Sequence, residues 1–159
     1  MTQFFKDKNY EFPCIIIEQG RPIISDGNTG APLKLTEQII DELAQKTGIL
    51  TGKWLIHIGK KRVDDFWNKI QDLIEENSIF HNAKVSTIAH PWKKEDTHVI
   101  CVYTKNYLDK NKVIEARNKL RNIGKNEKIR YKPDIYTYLG IYSDTKEKFG
   151  LKKATRYYF

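Results

Sequence analysis

From residue 52 onward apolar and polar positions alternate with a clear period, and that period changes along the chain. In Lys53-Trp54-Leu55-Ile56-His57-Ile58, Trp54, Ile56 and Ile58 fall on one side while Lys53, Leu55 and His57 fall on the other, the two-residue repeat of a strand. Past Gly59 to Arg62, the apolar residues Val63, Phe66, Trp67, Ile70, Leu73 and Ile74 recur at three and four residues. This predicts an amphipathic helix whose Asp64 and Asp65 suit the positive N-terminal end. Strands are expected at 84–89 and 98–104, paired as a hairpin across the polar connection from His90 to Thr97. Asp109 is placed to open a helix carrying Val113, Ile114, Ala116, Leu120 and Ile123, with Gly124 at its end. Two further extended segments, 129–132 and 136–142, are broken by Pro133.

Ahead of residue 52 the pattern is weaker. Cys14 to Ile17 form an apolar run that reads as a strand, followed by a long turn through Gly20-Arg21-Pro22, Asp26-Gly27-Asn28-Thr29-Gly30 and Pro32. Thr36 can cap a helix through Lys46 with Ile39, Ile40 and Leu43 on its apolar side, and Gly48 supplies a stop. The expected core order is β-α-β-β-α-β-β. Strands with one apolar and one polar side imply an α+β domain with a mainly antiparallel sheet backed by helices on one face. A ferredoxin-like arrangement has the same local order. No repeat, low-complexity tract or Pro/Ser-rich linker interrupts the chain, so residues 1–159 are expected to form one domain.

Composition narrows the class. A chain of 159 residues can bury one hydrophobic core unaided, and 40% hydrophobic with 12% aromatic residues excludes a largely disordered one. The formal charge of +8, from 28 Lys and Arg against 20 Asp and Glu, favours anionic partners, although a lysine-rich surface also serves solubility alone. Cys14 and Cys101 sit inside apolar runs, where they pack as small hydrophobes, and His81, His90 and His98 make no metal-ligand spacing with them. Neither a metal nor another cofactor is therefore expected. No Walker motif, nucleophile elbow or dinucleotide-binding glycine fingerprint is present, which removes most of the case for nucleotide hydrolysis or redox chemistry. The N-terminus has no basic region followed by a sustained apolar core, and no stretch reaches membrane-spanning length, so a cytoplasmic location is expected.

Several strings carry a resemblance. Gly52-Lys53-Trp54-Leu55-Ile56, Val63-Asp64-Asp65-Phe66-Trp67, Ala83-Lys84-Val85-Ser86, His98-Val99-Ile100-Cys101-Val102-Tyr103-Thr104 and Tyr131 to Tyr142 together resemble the Bles (basophilic-leukaemia-expressed protein) family, over roughly residues 50–158. The resemblance implies a fold like that of the cap-binding translation initiation factor 4E, a curved sheet backed by helices. Lys53-Trp54-Leu55, Val63 to Trp67, and Pro91-Trp92 with Glu95 are each similar to short stretches of that factor, in which two tryptophans sandwich methylated guanine. Here Gly59-Lys60-Lys61-Arg62 fills the connection where the partner aromatic would stand, which speaks against cap binding itself.

Candidate chemistry centres on strand faces. Alternation puts Lys53 with His57, Lys84 with Ser86, and Arg130 with Lys132 on single sides of three strands. If those sides coincide they make a basic patch for phosphate, with Tyr103, Lys105, Tyr136 and Tyr138 at its edge; each residue alone could equally be a solvated strand position. Trp92, set among Pro91, Lys93, Lys94, Glu95 and Asp96, could stack a base or fold back over the sheet edge. Trp54 and Trp67 have the period of core residues. The basic, aromatic tail from Lys152 to Phe159 could meet RNA or be pinned to the sheet by Tyr157 and Phe159. Lys53, His57, Lys84, Lys105 and Arg130 also stand in an order that weakly resembles the phosphothreonine lyases, which implies Lys84 as base, His57 as acid, and Arg130 and Lys132 as phosphate ligands. The expected function is thus a binding module for a phosphate-bearing ligand, foremost an RNA or nucleotide end, through the basic strand faces with Trp92 as a stacking platform; a phosphopeptide is a further anionic partner. The alternatives are a lyase that eliminates phosphate and an interaction module for an acidic protein.

Overall fold

The computed structural model describes residues 14–18, 21–25, 34–87 and 96–159. In chain order its elements are β1 (Cys14–Glu18), β2 (Arg21–Ser25), α1 (Glu37–Thr47), β3 (Gly52–Gly59), α2 (Val63–Glu76), β4 (Phe80–Val85), β5 (Thr97–Thr104), α3 (Lys110–Asn122), β6 (Arg130–Pro133), α4 (Asp134–Tyr138) and β7 (Tyr157–Tyr158). The chain divides into two compact units, one from Met1–Thr47 with Ile135–Ala154, the other from Gly48–Asp134 with Thr155–Phe159.

The second unit is a five-stranded antiparallel sheet in the order β4-β5-β3-β6-β7. Helix α2 joins β3 to β4, yet β5 lies between them; α3 joins β5 to β6, yet β3 lies between them. Each helix is therefore the crossover of a split β-α-β unit, the ferredoxin-like order that periodicity left open. The β3-α2-β4 and β5-α3-β6 crossovers run in opposite directions along and across the sheet, so right-handed connections set both helices on the same side. That side is the core: Trp54, Ile56 and Ile58 of β3, Ile100 and Val102 of β5 and Tyr131 of β6 are buried, as are Phe66, Ile70 and Leu73 of α2 and Val113, Ala116 and Leu120 of α3. Of these, Trp54, Ile56 and Ile58, and the buried positions of α2 and α3, are the ones that the strand alternation and helical spacing placed on apolar sides.

At the centre of the core, Tyr131 meets Trp54 edge-on at 5.0 Å between ring centroids, and its hydroxyl shares a 2.6 Å hydrogen bond with Thr104. Gly52 lies so close to this ring that a Cβ there would overlap its Cε1, Cζ and hydroxyl atoms. Arg117 is fully buried and donates to the carbonyls of Phe159 (3.1 Å), Lys125 (2.8 Å) and Glu127 (2.7 Å). It thereby ties α3 to the loop before β6 and to the C-terminal tail. The tail is a strand of the sheet: Tyr157 and Tyr158 pair with β6, and Ile129 and Phe159 exchange backbone hydrogen bonds of 2.8 and 3.2 Å.

Local signals read from the sequence hold at the helix starts. The Asp109 carboxylate accepts from the Lys112 amide at 3.1 Å, and the Thr36 hydroxyl accepts from Ile39 at 3.2 Å. Three expectations need correction. Strand β4 begins at Phe80 rather than at residue 84 and ends at Val85, with 88–89 outside the described residues. The turn expected after the first strand contains β2, which pairs antiparallel with β1 from Cys14↔Ser25 to Glu18↔Arg21. Residues 136–142 are not extended: α4 runs from Asp134 to Tyr138, so the expected core order ends in strand then helix. Gly140, at φ 71°, closes that helix with its amide on the Thr137 carbonyl and the Ile141 amide on that of Tyr136, the paired bonds of a Schellman turn. The Tyr-Thr-Tyr alternation mimics a strand, but Asp134 stands in the first turn of the helix and the glycine stop decides the outcome.

In the first unit, α1 buries Ile40, Leu43 and Ala44, and the Leu35 amide bonds the Phe149 carbonyl at 2.8 Å.

Candidate functional site

Residues opposed across an antiparallel pair point to the same side, so register decides which side chains share a face. Lys84 opposes Cys101, Cys101 opposes Leu55, Leu55 opposes Arg130, and Arg130 opposes Tyr158, one row crossing all five strands. A second row on the same side joins Asn82, Tyr103, Lys53 and Lys132, and a third joins Val99 and His57. Both crossover helices occupy the other side. Lys53, His57, Lys84, Arg130 and Lys132, assigned to one side of each strand by alternation alone, are thus brought onto one face of one sheet, together with Tyr103, which was expected at the patch edge.

Depth varies across this face. His57, Lys84 and Arg130 are exposed, Lys53 is half-buried, and Lys132 and Tyr103 are buried. Lys53 forms an ion pair with Asp134, whose other oxygen accepts the Thr51 hydroxyl at 2.6 Å. The Lys53 and Lys84 ammonium groups both lie 5.3 Å from the centroid of the Tyr103 ring, within cation-π reach. A hydrogen bond to Tyr103 raises the pKa of Lys84 and so favours its charged form. Partial desolvation of the ring lowers that of His57 although much of the residue is exposed, and the charges of Lys125 and Arg130 lower it further. Burial pushes the Cys101 thiol up, against the opposing pull of Lys53 and Lys84.

The remaining candidates lie outside the paired strand positions that define this face. Lys105 lies beyond the end of β5, where with Ser78, Asn106, Asp109 and Lys112 it lines a separate cavity of about 410 Å³. Tyr136 is buried and Tyr138 exposed on α4, and the Ser86 hydroxyl accepts from the Val99 amide at 3.0 Å. Trp92 lies outside the described residues. Among the described residues no group of three or more His, Cys, Asp or Glu could hold a metal ion, and no helix is long and apolar enough to cross a membrane.

Tyr158, which the sequence offered only as part of the basic, aromatic tail, stands in the first row of this face. Tyr158 is 55% exposed, with the Lys128 ammonium 5.7 Å and the Arg130 guanidinium 5.9 Å from its ring centroid. The alternation Tyr157-Tyr158-Phe159 was a signal that one tail aromatic points away from its neighbours; that the tail pairs with β6 was not visible locally.

A family model described as Basophilic leukemia-expressed protein Bles03 matches residues 30–140. The chain belongs to that family. The match begins earlier and stops sooner than the resemblance quoted above, which ran from about residue 50 to 158. Within this Bles03 family member, β3, β4, β5 and β6 all lie inside the matched residues, so the lysines, histidine and arginine of the charged face do too. Strand β7, with Tyr158, lies beyond them.

Proposed function

We propose that this Bles03 family chain binds a phosphate-bearing ligand, an RNA or nucleotide end, through the charged face of its sheet. One observation carries it: register gathers Lys84, Arg130, Lys53 and Lys132 on the side of the sheet opposite its helices. Ammonium groups offer point charges, and the exposed Arg130 guanidinium offers paired N–H donors that match phosphate oxygens. The excess of +8 adds long-range attraction for such a ligand. We extend the reading to the fold, since an antiparallel sheet with its crossover helices on one side supports an arrangement of the initiation factor 4E type.

Binding is favoured over phosphate elimination. A lysine base must be neutral and a histidine acid protonated, whereas Lys84 is shifted toward its charged form and His57 toward its neutral one. The two also stand on strands separated by β5, ~10 Å apart from strand spacing alone.

The test is a fluorescence anisotropy titration of the full chain with a short labelled 5′-phosphorylated RNA at about 50 and about 200 mM salt. Saturable binding that weakens steeply with salt, falls several-fold in Lys84→Ala or Arg130→Ala and is lost in the double variant is expected. Absence of saturation at the lower salt, or variants that bind like the native chain, would refute it. In that case an acidic protein surface becomes the ligand to try.

A further inference from the structure

We propose that Tyr158 is a base-stacking platform at the edge of the charged face, and that the ligand class is single-stranded nucleic acid. An unpaired base lies on the Tyr158 ring while adjoining phosphates meet Arg130 and Lys128. The inference rests on the phosphate-binding face and adds to it the part of the ligand that is not phosphate.

The tail holds Tyr158 in place without using its ring. Its neighbours turn inward: Tyr157 and Phe159 stack at 5.9 Å between centroids, and the Tyr157 hydroxyl donates to the Tyr107 carbonyl at 3.0 Å. Backbone bonds between Ile129 and Phe159, and from the Arg156 amide to the Tyr131 carbonyl, fix the strand on both sides. Strand alternation then directs the Tyr158 ring outward, and pairing with Arg130 sets it on the charged side of the sheet. A large aromatic that is 55% exposed on a pinned strand presents a rigid π surface to solvent at little entropic cost.

Its surroundings suit a nucleotide better than an apolar partner. The two cations lie over the Tyr158 ring at 5.7 and 5.9 Å from its centroid and form no ion pair among the described residues, so a stacking base takes the place of a cation-π contact and the displaced charge meets the adjoining phosphate. The row from Lys84 through Arg130 to Tyr158 spans four strand spacings, ~19 Å, with a cation at one end and a cation-flanked aromatic at the other. A row of that length accommodates an extended chain of nucleotides. Sheet faces that stack bases on outward aromatics with basic residues alongside are a recurrent physical solution for single strands, because every base offers a π face.

The experiment compares the native chain, Tyr158→Ala and Tyr158→Phe against two probes of equal length: a 5′-phosphorylated single-stranded RNA and an abasic sugar-phosphate chain. Tyr158→Ala should weaken RNA binding on the order of tenfold, Tyr158→Phe should stay within about twofold of native, and the abasic chain should bind native and Tyr158→Ala alike. A urea melt of each variant checks that the fold is retained. If Tyr158→Ala binds RNA as tightly as the native chain, or the abasic chain binds as tightly as RNA, the stacking site is refuted while the phosphate-binding face survives. If the native chain binds neither probe, the phosphate-binding face fails and the stacking site with it.

Discussion

Replacing Gly52 by alanine is a small change with a large expected consequence. A Cβ built on this residue would stand 2.7 Å from both Cε1 and Cζ of Tyr131 and closer still to its hydroxyl oxygen. Such distances lie well inside van der Waals contact, so either the strand or the ring must move. The ring has little room: it is fully buried, set edge-on to Trp54 at 5.0 Å, 5.7 Å from the Tyr157 ring, and held by the Thr104 hydroxyl at 2.6 Å. The strand is held as well, since Gly52 pairs with Thr104 on one side and Pro133 on the other. Overpacking of this kind costs about 1–3 kcal/mol, and strain on the Tyr131 to Thr104 hydrogen bond adds about 0.5–1.5 kcal/mol. The expected loss is therefore about 1.5–4.5 kcal/mol, measured by urea unfolding followed through tryptophan fluorescence. A cycle with Tyr131→Ala isolates the cause: in that background Gly52→Ala should cost less than about 1 kcal/mol, because the overlapping atoms are gone. A native-like midpoint for Gly52→Ala, or an equal cost in both backgrounds, would show that the overlap is not what excludes a side chain at this position.

Arg117→Met keeps an unbranched apolar stem but removes the guanidinium and leaves the carbonyls of Phe159, Lys125 and Glu127 without their donor. At about 1–3 kcal/mol for the buried Lys125 carbonyl and less for the two part-buried ones, a drop of about 2–4 kcal/mol is expected, together with faster hydrogen exchange at the Ile129 and Phe159 amides as β7 loosens. His57 should titrate below 6.5 in an NMR pH series, since burial and the charges of Lys125 and Arg130 disfavour its imidazolium. With a lowered folded pKa the unfolded chain takes up the proton first, so the contribution of His57 to stability is full above pH 6.5 and fades as pH falls through the folded value. His57→Gln should flatten that limb of the stability profile, and a midpoint at or above 6.5 would contradict the assigned surroundings.

How much of this was legible beforehand follows from the range of the forces involved. Strand and helix periods are set by residues a few positions apart, and they located β3, α2, β5 and α3 from the sequence because each has one apolar side to bury. Capping is equally local, which is why Thr36 and Asp109 could be read as helix starts. The same locality misled at 136–142, where Tyr and Thr alternate as in a strand while the Gly140 turn and the backbone bonds around it favour a helix. In each strand alternation could say that Lys53 and His57, or Arg130 and Lys132, share a side, and no more.

The sequence by itself therefore determined β3, α2, β5 and α3, the side of each that is apolar, the family resemblance and the positive charge. Which polar sides coincide was settled by tertiary pairing, because register and strand order depend on contacts between residues far apart in the chain. Insertion of β5 between β3 and β4, with both crossovers on one side, leaves Lys53, Lys84, Arg130 and Lys132 together on the other. Tyr158 shows the same division most simply. The sequence makes it one of three consecutive aromatics, and only the pairing of β7 with β6, secured through the buried Arg117, turns its ring outward beside Arg130.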